Sequence, residues 1–166
     1  MVVARPVIRV PENVGKLRTS IRLLSGWKFL VVFVGLIAWS NQADADELYC
    51  LIEAIYFEGR SESVEGQLAI ANVVLNRVRS KRFPDTVCGV VRQCQFSYYC
   101  DGKTEIMHDK KAKRTAHFIA KFGLDGMEVS SIIGATHYHA EYVKPYWVRF
   151  TKRLKKIGKH IFYVEE

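Results

Sequence analysis

From Glu47 onward the chain sets Leu48, Leu51, Ile52 and Ile55 at the i, i+3, i+4, i+7 spacing that lines one face of a helix. Gly59 is placed to end this first helix, since a residue without a Cβ readily takes the turn that closes many helices. A second helix is predicted from Ser63, whose hydroxyl caps a free amide, with Glu65 near the positive end of the helix dipole. Its apolar stripe of Val64, Leu68, Ala71, Leu75 and Val78 carries it to about Ser80. Pro84 forbids continuation because it lacks an amide hydrogen and clashes with the preceding turn, so a turn and a short helix around residues 85–92 are expected. QFSYYCDG, residues 95–102, reads as a loop or a short hairpin closed by Asp101-Gly102. Residues 108–122 predict a third helix with Ala112, Ala116, Ile119 and Ala120 inward, ended by Gly123.

Beyond Gly134 the periodicity changes. THYHA (136–140) and HIFYV (160–164) are short and rich in aromatic and β-branched residues, and predict two strands that pair antiparallel. The fold class is therefore α+β, mostly α, with a small antiparallel sheet near the C-terminus.

The first 45 residues follow a different rule. Residues 1–28 hold six Lys/Arg against the single acid Glu12, and run into the uncharged FLVVFVGLIAW, residues 29–39, then SNQ and Ala43-Asp44-Ala45. Spanning a bilayer takes roughly 20 apolar residues, more than this run supplies. A basic region, a short apolar core and a small-x-small site together describe a secretory signal cleaved after Ala45. The alternative is an uncleaved tether, associating with the inner membrane through residues 29–39. The remainder, residues 46–166, is long enough for one compact domain and too short for two.

Export alters the reading of Cys50, Cys88, Cys94 and Cys100, because disulfides are the default in an oxidising compartment. Four cysteines allow three connectivities and the spacing does not choose. No C-x-x-C pair points to zinc. The formal charge of +8 also divides: past residue 45 there remain 19 basic and 15 acidic residues, a net +4. An exported and mildly basic domain suits an anionic envelope polymer better than nucleic acid. The cluster KRLKK, 152–156, reads as a solvated surface run.

The stretch EAIYFEGRSESVEGQ, residues 53–67, holds four glutamates. On a helix of 3.6 residues per turn, Glu53 falls on the side away from Leu48 and Ile55, whereas Glu58 returns to the flank of the apolar face beside Leu51. A carboxylate bordering the core is partly desolvated and its pKa rises, as a general acid working near neutral pH requires. Glu62 follows by four residues, and would be its neighbour if helical geometry persisted past Gly59. From position alone, ordinary solvated acids at a helix end remain the alternative.

EAIYFEGRSESVEGQLAIANVVLNRVRS, with FPDTVCGVV, QCQFSYYCDGK, ATHYHAEYVKPYW and IGKHIFYV, resembles the SleB-type cell-wall hydrolases, the family named for the spore cortex-lytic enzyme. The resemblance covers about residues 48–164, and its cysteine-bearing blocks look most like members from Gram-negative bacteria and their phages. It implies a lysozyme-like catalytic domain that cleaves the glycan strand of peptidoglycan at the bond between N-acetylmuramic acid and N-acetylglucosamine. It maps the catalytic acid to Glu58, and one such carboxylate suffices for a lytic transglycosylase. The family block E-A-x-G-E-x-x-E-G-Q stands here with Gly59 for Ala and Ser61 for Gly, and Ser61 raises the question of whether that turn needs a positive φ. Gln95, Phe96 and Ser97 resemble the loop facing the acid in lysozyme-like folds. Glu62, His137, Tyr138, His139 and Trp147, with Tyr146, are the further candidates for substrate contact. Glu62 and Asp101 are the only candidates for a second acid.

Two readings of other classes compete. His137 and His139 alternate along a strand and point the same way, a geometry that could ligate zinc in an amidase or peptidase, although no H-E-x-x-H signature accompanies them. A wall-binding module without catalysis is the other. No cofactor or metal is expected, the substrate is peptidoglycan rather than nucleic acid, and the chain is expected to be a monomer in the periplasm or cell envelope. A phage endolysin and a bacterial envelope enzyme would look alike.

Overall fold

The computed structural model describes residues 44–165. The basic leader and the apolar run 29–39 lie outside the described residues. Four helices precede a three-stranded sheet: α1 (44–59), α2 (Val64–Arg79), α3 (Val87–Val91) and α4 (Lys110–Leu124), then β1 (His137–Ala140), β2 (Thr151–Ile157) and β3 (His160–Glu165). The residues flanking the expected cleavage point after Ala45 are helical and lie within α1. Among the described residues no helix is long and apolar enough to cross a membrane.

The element buried on most sides is α2. Leu68, Ala71, Val74 and Leu75 pack into one core with Leu51, Ile55, Val90, Val91, Ile119 and Ala120 of the other helices. Ala69 and Val73 pack into a second core with Ile132, Ala135, Ile157 and Phe162 beneath the sheet. Two apolar faces rather than one stripe explain why the helix is so rich in small and β-branched residues. Ser63 caps it as expected, its Oγ accepting from Gly66 N–H at 3.2 Å.

The first helix departs from the simple amphipathic picture. Glu53, expected to face away from the core, is 8% exposed, and its pKa is pushed up by burial and by Glu105. The side opposite Leu48 is thus covered as well, by chain remote in sequence. In α4, Ala116, Ile119 and Ala120 point inward as predicted, but Gly123 lies inside the helix rather than ending it. A Cβ there would stand 3.3 Å from Leu75 Cδ1, so the glycine allows close packing on α2. The terminator is Gly126, at φ +90°, with Gly126 N–H donating to Gly123 C=O and Met127 N–H to Phe122 C=O. This is the paired closure in which glycine takes the left-handed position.

The sheet has the order β1-β3-β2, all antiparallel, with His137 opposite Tyr163 and Tyr138 opposite Phe162. The second strand of the sequence falls on the cationic run 151–157, where the charge pattern predicts solvated surface. Most of it is indeed exposed, with Leu154 half-buried and Ile157 buried, and an irregularity between Arg153 and Lys156 interrupts the strand period. Three polar side chains of α2 clamp the chain that leads into β1. Asn72 Nδ2 donates to Met127 C=O at 2.9 Å, Asn76 Nδ2 to Ala135 C=O at 2.9 Å, and Arg77 Nε to Thr136 C=O at 2.7 Å.

The cysteines pair as Cys50–Cys88 and Cys94–Cys100. The first joins α1 to α3. The second closes the segment holding Gln95–Ser97, which forms a short 3-10 turn, Ser97–Cys100, where a loop or hairpin was expected.

Candidate active site

Glu58 occupies the last turn of α1, where the helix emerges from the core, and its carboxyl is half-buried. Strand alternation turns Tyr138 toward the helical layer, where its hydroxyl donates to Glu58 Oε2 at 3.3 Å. Burial raises the pKa of Glu58 above the ordinary carboxylate value, while the Tyr138 bond and the Arg77 charge oppose the rise. Arg77 is itself buried, held against Thr136 and over the rings of Phe83 and Phe96, with its guanidinium carbon 5.2 and 5.4 Å from their centres.

Glu58 opens into a cleft of 540 Å³ bordered by Gln95, Ser97, Tyr98, Tyr138 and His160. A second cleft of 610 Å³ is bordered by His137, Tyr146, Trp147, Phe150 and Glu165. Both share Arg77, Gln95 and Tyr138, so they are two lobes of one groove. Its rim is aromatic and open to solvent, with Tyr142 84%, Tyr146 74% and Phe150 67% exposed.

The groove brings together most of the residues expected from sequence. Gln95, Phe96, Ser97, Tyr138 and His139 border the Glu58 lobe, and His137 and Trp147 the other. Phe96 is 1% exposed and acts as floor beneath Arg77 rather than as an open surface. Trp147 packs against His137, His139 and Tyr163 at centroid distances of 5.0, 5.7 and 5.5 Å, which leaves only its outer part to the cleft. Glu62 and Asp101 border neither lobe. Asp101 is an exposed partner of Lys103. Arg77 and His160 are groove members that periodicity does not single out: one sits in the last turn of a helix, where a basic residue normally means dipole compensation, and the other lies in HIFYV, whose pattern predicts only a strand.

His137 and His139 do share one face, and both meet Trp147. Their ring nitrogens are engaged within the protein. His139 Nδ1–H donates to Ala140 C=O at 2.8 Å and its Nε2 accepts from the Tyr163 hydroxyl at 3.0 Å. His137 Nδ1 lies 3.0 Å from Thr136 Oγ1 and its Nε2 3.5 Å from Glu165 Oε1. Among the described residues no three His, Cys, Asp or Glu side chains converge as metal ligands.

The turn after Glu58 tolerates both of its unusual residues. No non-glycine residue among those described has positive φ, so Ser61 carries no strain of that kind. A Cβ at position 59 would stand 2.9 Å from Ile70 Cδ1, so glycine there fits the isoleucine opposite.

A mostly helical domain that presents one half-buried glutamate to a groove walled by a small antiparallel sheet is lysozyme-like in plan. Sequence comparison narrows the class: the cell wall hydrolase pattern matches residues 61–163, beginning just after Glu58, and the chain belongs to that family. The spore cortex-lytic enzymes of Halalkalibacterium halodurans and Bacillus cereus are 34% and 32% identical to it over 119 and 125 residues, or 70% and 74% of this chain. The chain spans only 34% and 46% of the length of these curated relatives. Among solved structures it is similar to the catalytic domain of the germination-specific lytic transglycosylase SleB from Bacillus anthracis, with a TM-score of 0.58 and 32% identity over 70% of this chain and 93% of that one. The catalytic domain of the Bacillus cereus SleB protein gives the same TM-score at 31% identity, over 72% of this chain and 90% of that one.

Proposed function

We propose that this protein cleaves the glycan strand of peptidoglycan at the β-1,4 bond between N-acetylmuramic acid and N-acetylglucosamine, acting as a lytic transglycosylase with Glu58 as its acid and base. The observation that carries the reading is that, among the described residues, Glu58 is the one carboxylate bordering its lobe, and burial favours its protonated form. A paired-carboxylate hydrolase needs a second acid flanking the bond. Glu165 borders the neighbouring lobe, but it is committed to Arg82 and to His137.

Protonated Glu58 gives its proton to the glycosidic oxygen as the C1–O bond breaks, and the bonding pair leaves with the N-acetylglucosamine hydroxyl. Positive charge develops at the muramic C1. The carboxylate then takes the proton of the muramic C6 hydroxyl as that oxygen closes on C1, which yields a 1,6-anhydro ring and restores the acid. Gln95 and Ser97 supply amide and hydroxyl groups for the acetamido substituents, while Tyr146 and Trp147 offer rings to sugar faces. The naming of a solved relative as a lytic transglycosylase supports the same chemistry.

The basic and then apolar composition before residue 45 supports export, or an inner-membrane tether through residues 29–39, and thus action in the periplasm or envelope. Mass spectrometry of digested sacculi tests the activity: anhydro-muramic ends are expected, whereas reducing ends would indicate hydrolysis, released peptides an amidase, and an undigested sacculus a wall-binding module. N-terminal sequencing of the exported chain distinguishes signal from tether.

A further inference from the structure

Four residues past Glu58, the Glu62 side chain is 4% exposed. Its Oε2 accepts from Lys159 N–H at 3.3 Å, and its Oε1 lies 3.6 Å from His160 Nδ1. The fold makes room for it with glycine. A Cβ on Gly158, at φ +56°, would stand 1.8 Å from Glu62 Oε2, and one on Gly66 would stand 3.0 Å from Glu62 Cβ. Gln67 Nε2 fixes the backbone by donating to Glu62 C=O at 3.1 Å. A carboxylate so enclosed is unfavourable unless a donor or counter-charge faces it, and beyond one backbone amide the group facing it is His160.

His160 stands between this carboxylate and the Glu58 lobe, which it borders. Its ring is 5.2 Å from that of Tyr138, edge to face at 89°, which fixes the plane. With Nδ1 turned to Glu62, the tautomer carrying its proton on Nδ1 is favoured, and Nε2 keeps its lone pair.

We propose that Glu62 is a positioning residue that holds His160 with its proton on Nδ1, so that Nε2 presents a hydrogen-bond acceptor to a hydroxyl or acetamido N–H of the sugar beside Glu58. This rests on the glycan-cleavage reading and deepens it. The ionisable groups around His160 are Glu62 from the α1–α2 turn, Tyr138 and His139 from β1, Lys159 from the β2–β3 turn, and Glu58 across the lobe. Burial lowers the pKa of His160, Glu62 opposes that, and His139 and Lys159 lower it further. The neutral acceptor form therefore prevails near neutrality and is lost in acid.

The test uses the full chain and compares wild type with Glu62→Gln, His160→Phe and His160→Gln in KM, kcat and the pH profile of kcat/KM. Glutamine places an oxygen near the position of Nε2. His160→Phe is expected to raise KM about tenfold with little change in kcat, and His160→Gln to recover most of the loss. Glu62→Gln is expected to raise KM and to move the acid limb of kcat/KM to lower pH, because the charge that holds up the His160 pKa is gone. A merely structural Glu62 would lower thermal stability and leave that limb in place. Equal KM values for the two His160 variants, or an unmoved limb in Glu62→Gln, would overturn the inference. Full turnover in Glu58→Gln would instead sink the glycan-cleavage reading itself. The affinity of the Glu58→Gln chain for an uncleaved N-acetylglucosamine oligomer then decides: weakening by His160→Phe and recovery by His160→Gln sustain the inference, and indifference to both rejects it.

Discussion

The Tyr138 hydroxyl reaches across from the sheet to Glu58 Oε2 at 3.3 Å, and the two influences on this acid act in opposite directions. Burial favours the protonated carboxyl, whereas the tyrosine bond and Arg77 favour the ionised form, with burial the larger. Tyr138→Phe deletes one of the lowering contributions, so the pKa of Glu58 rises further. The alkaline limb of kcat/KM, where the acid form is lost, is expected to shift to higher pH, while the rate at the optimum falls about tenfold through lost orientation. A pH–rate series on the two proteins checks both parts.

Glu58→Gln removes the proton donor and is expected to reduce turnover on sacculi by about 10²–10⁴-fold. Stability should move the other way. A carboxyl whose folded pKa is raised favours the fold in its protonated form, fully so below the ordinary value of 4.5, and that advantage is lost as pH rises through the folded pKa. The amide never ionises, so the variant melts higher than wild type at pH 7 to 8 and the gap closes toward about pH 4. Thermal melts at several pH values measure it.

The two disulfides divide stability from function. By loop-closure entropy the Cys50–Cys88 bridge, 38 residues apart, contributes about 4 kcal/mol and Cys94–Cys100, 6 apart, about 2 kcal/mol. Paired serine substitutions at Cys50 and Cys88 should therefore lower the melting temperature markedly. The same change at Cys94 and Cys100 should cost less stability but about tenfold in kcat/KM, because it frees the segment that holds Gln95 and Ser97 at the groove. Melts and kinetics on both pairs separate the two effects.

Gly158→Ala meets both a left-handed backbone and the Glu62 carboxylate at 1.8 Å. A loss of about 1–3 kcal/mol is expected in chemical denaturation. Placing alanine at Gly102, which also has positive φ but has nothing within 4 Å of its would-be Cβ, should cost less.

Spacing placed Glu58 at the edge of an apolar face, and the structure finds it half-buried there, but spacing alone did not separate it from an ordinary solvated acid; the family resemblance did. The burial of Glu53 was not legible, because periodicity registers which face is apolar and says nothing of distant chain that covers the other face. The same limit hid the two-sided burial of α2: its predicted stripe includes Val64, which is 63% exposed, and omits Ala69, Ile70 and Val73, which are wholly buried. The strand at 151–157 carries no apolar alternation to mark it, because its cationic residues face solvent and its period slips between Arg153 and Lys156. The Cys50–Cys88 pairing, the buried guanidinium of Arg77 against Thr136 and the enclosure of Glu62 by Gly158 are all contacts between segments far apart in sequence. No local pattern encodes them.

The helix between the two cores also acts as a spacer. The proton donor arrives on one layer, while its tyrosine partner and the histidine beside it arrive on another, so the gap between them is set by how deeply the sheet seats on Ala69 and Val73. Selection for reach at the scissile bond therefore bears on those two small side chains as much as on any residue that meets sugar. Adding bulk there would lift one wall of the groove and leave every catalytic group intact but out of range.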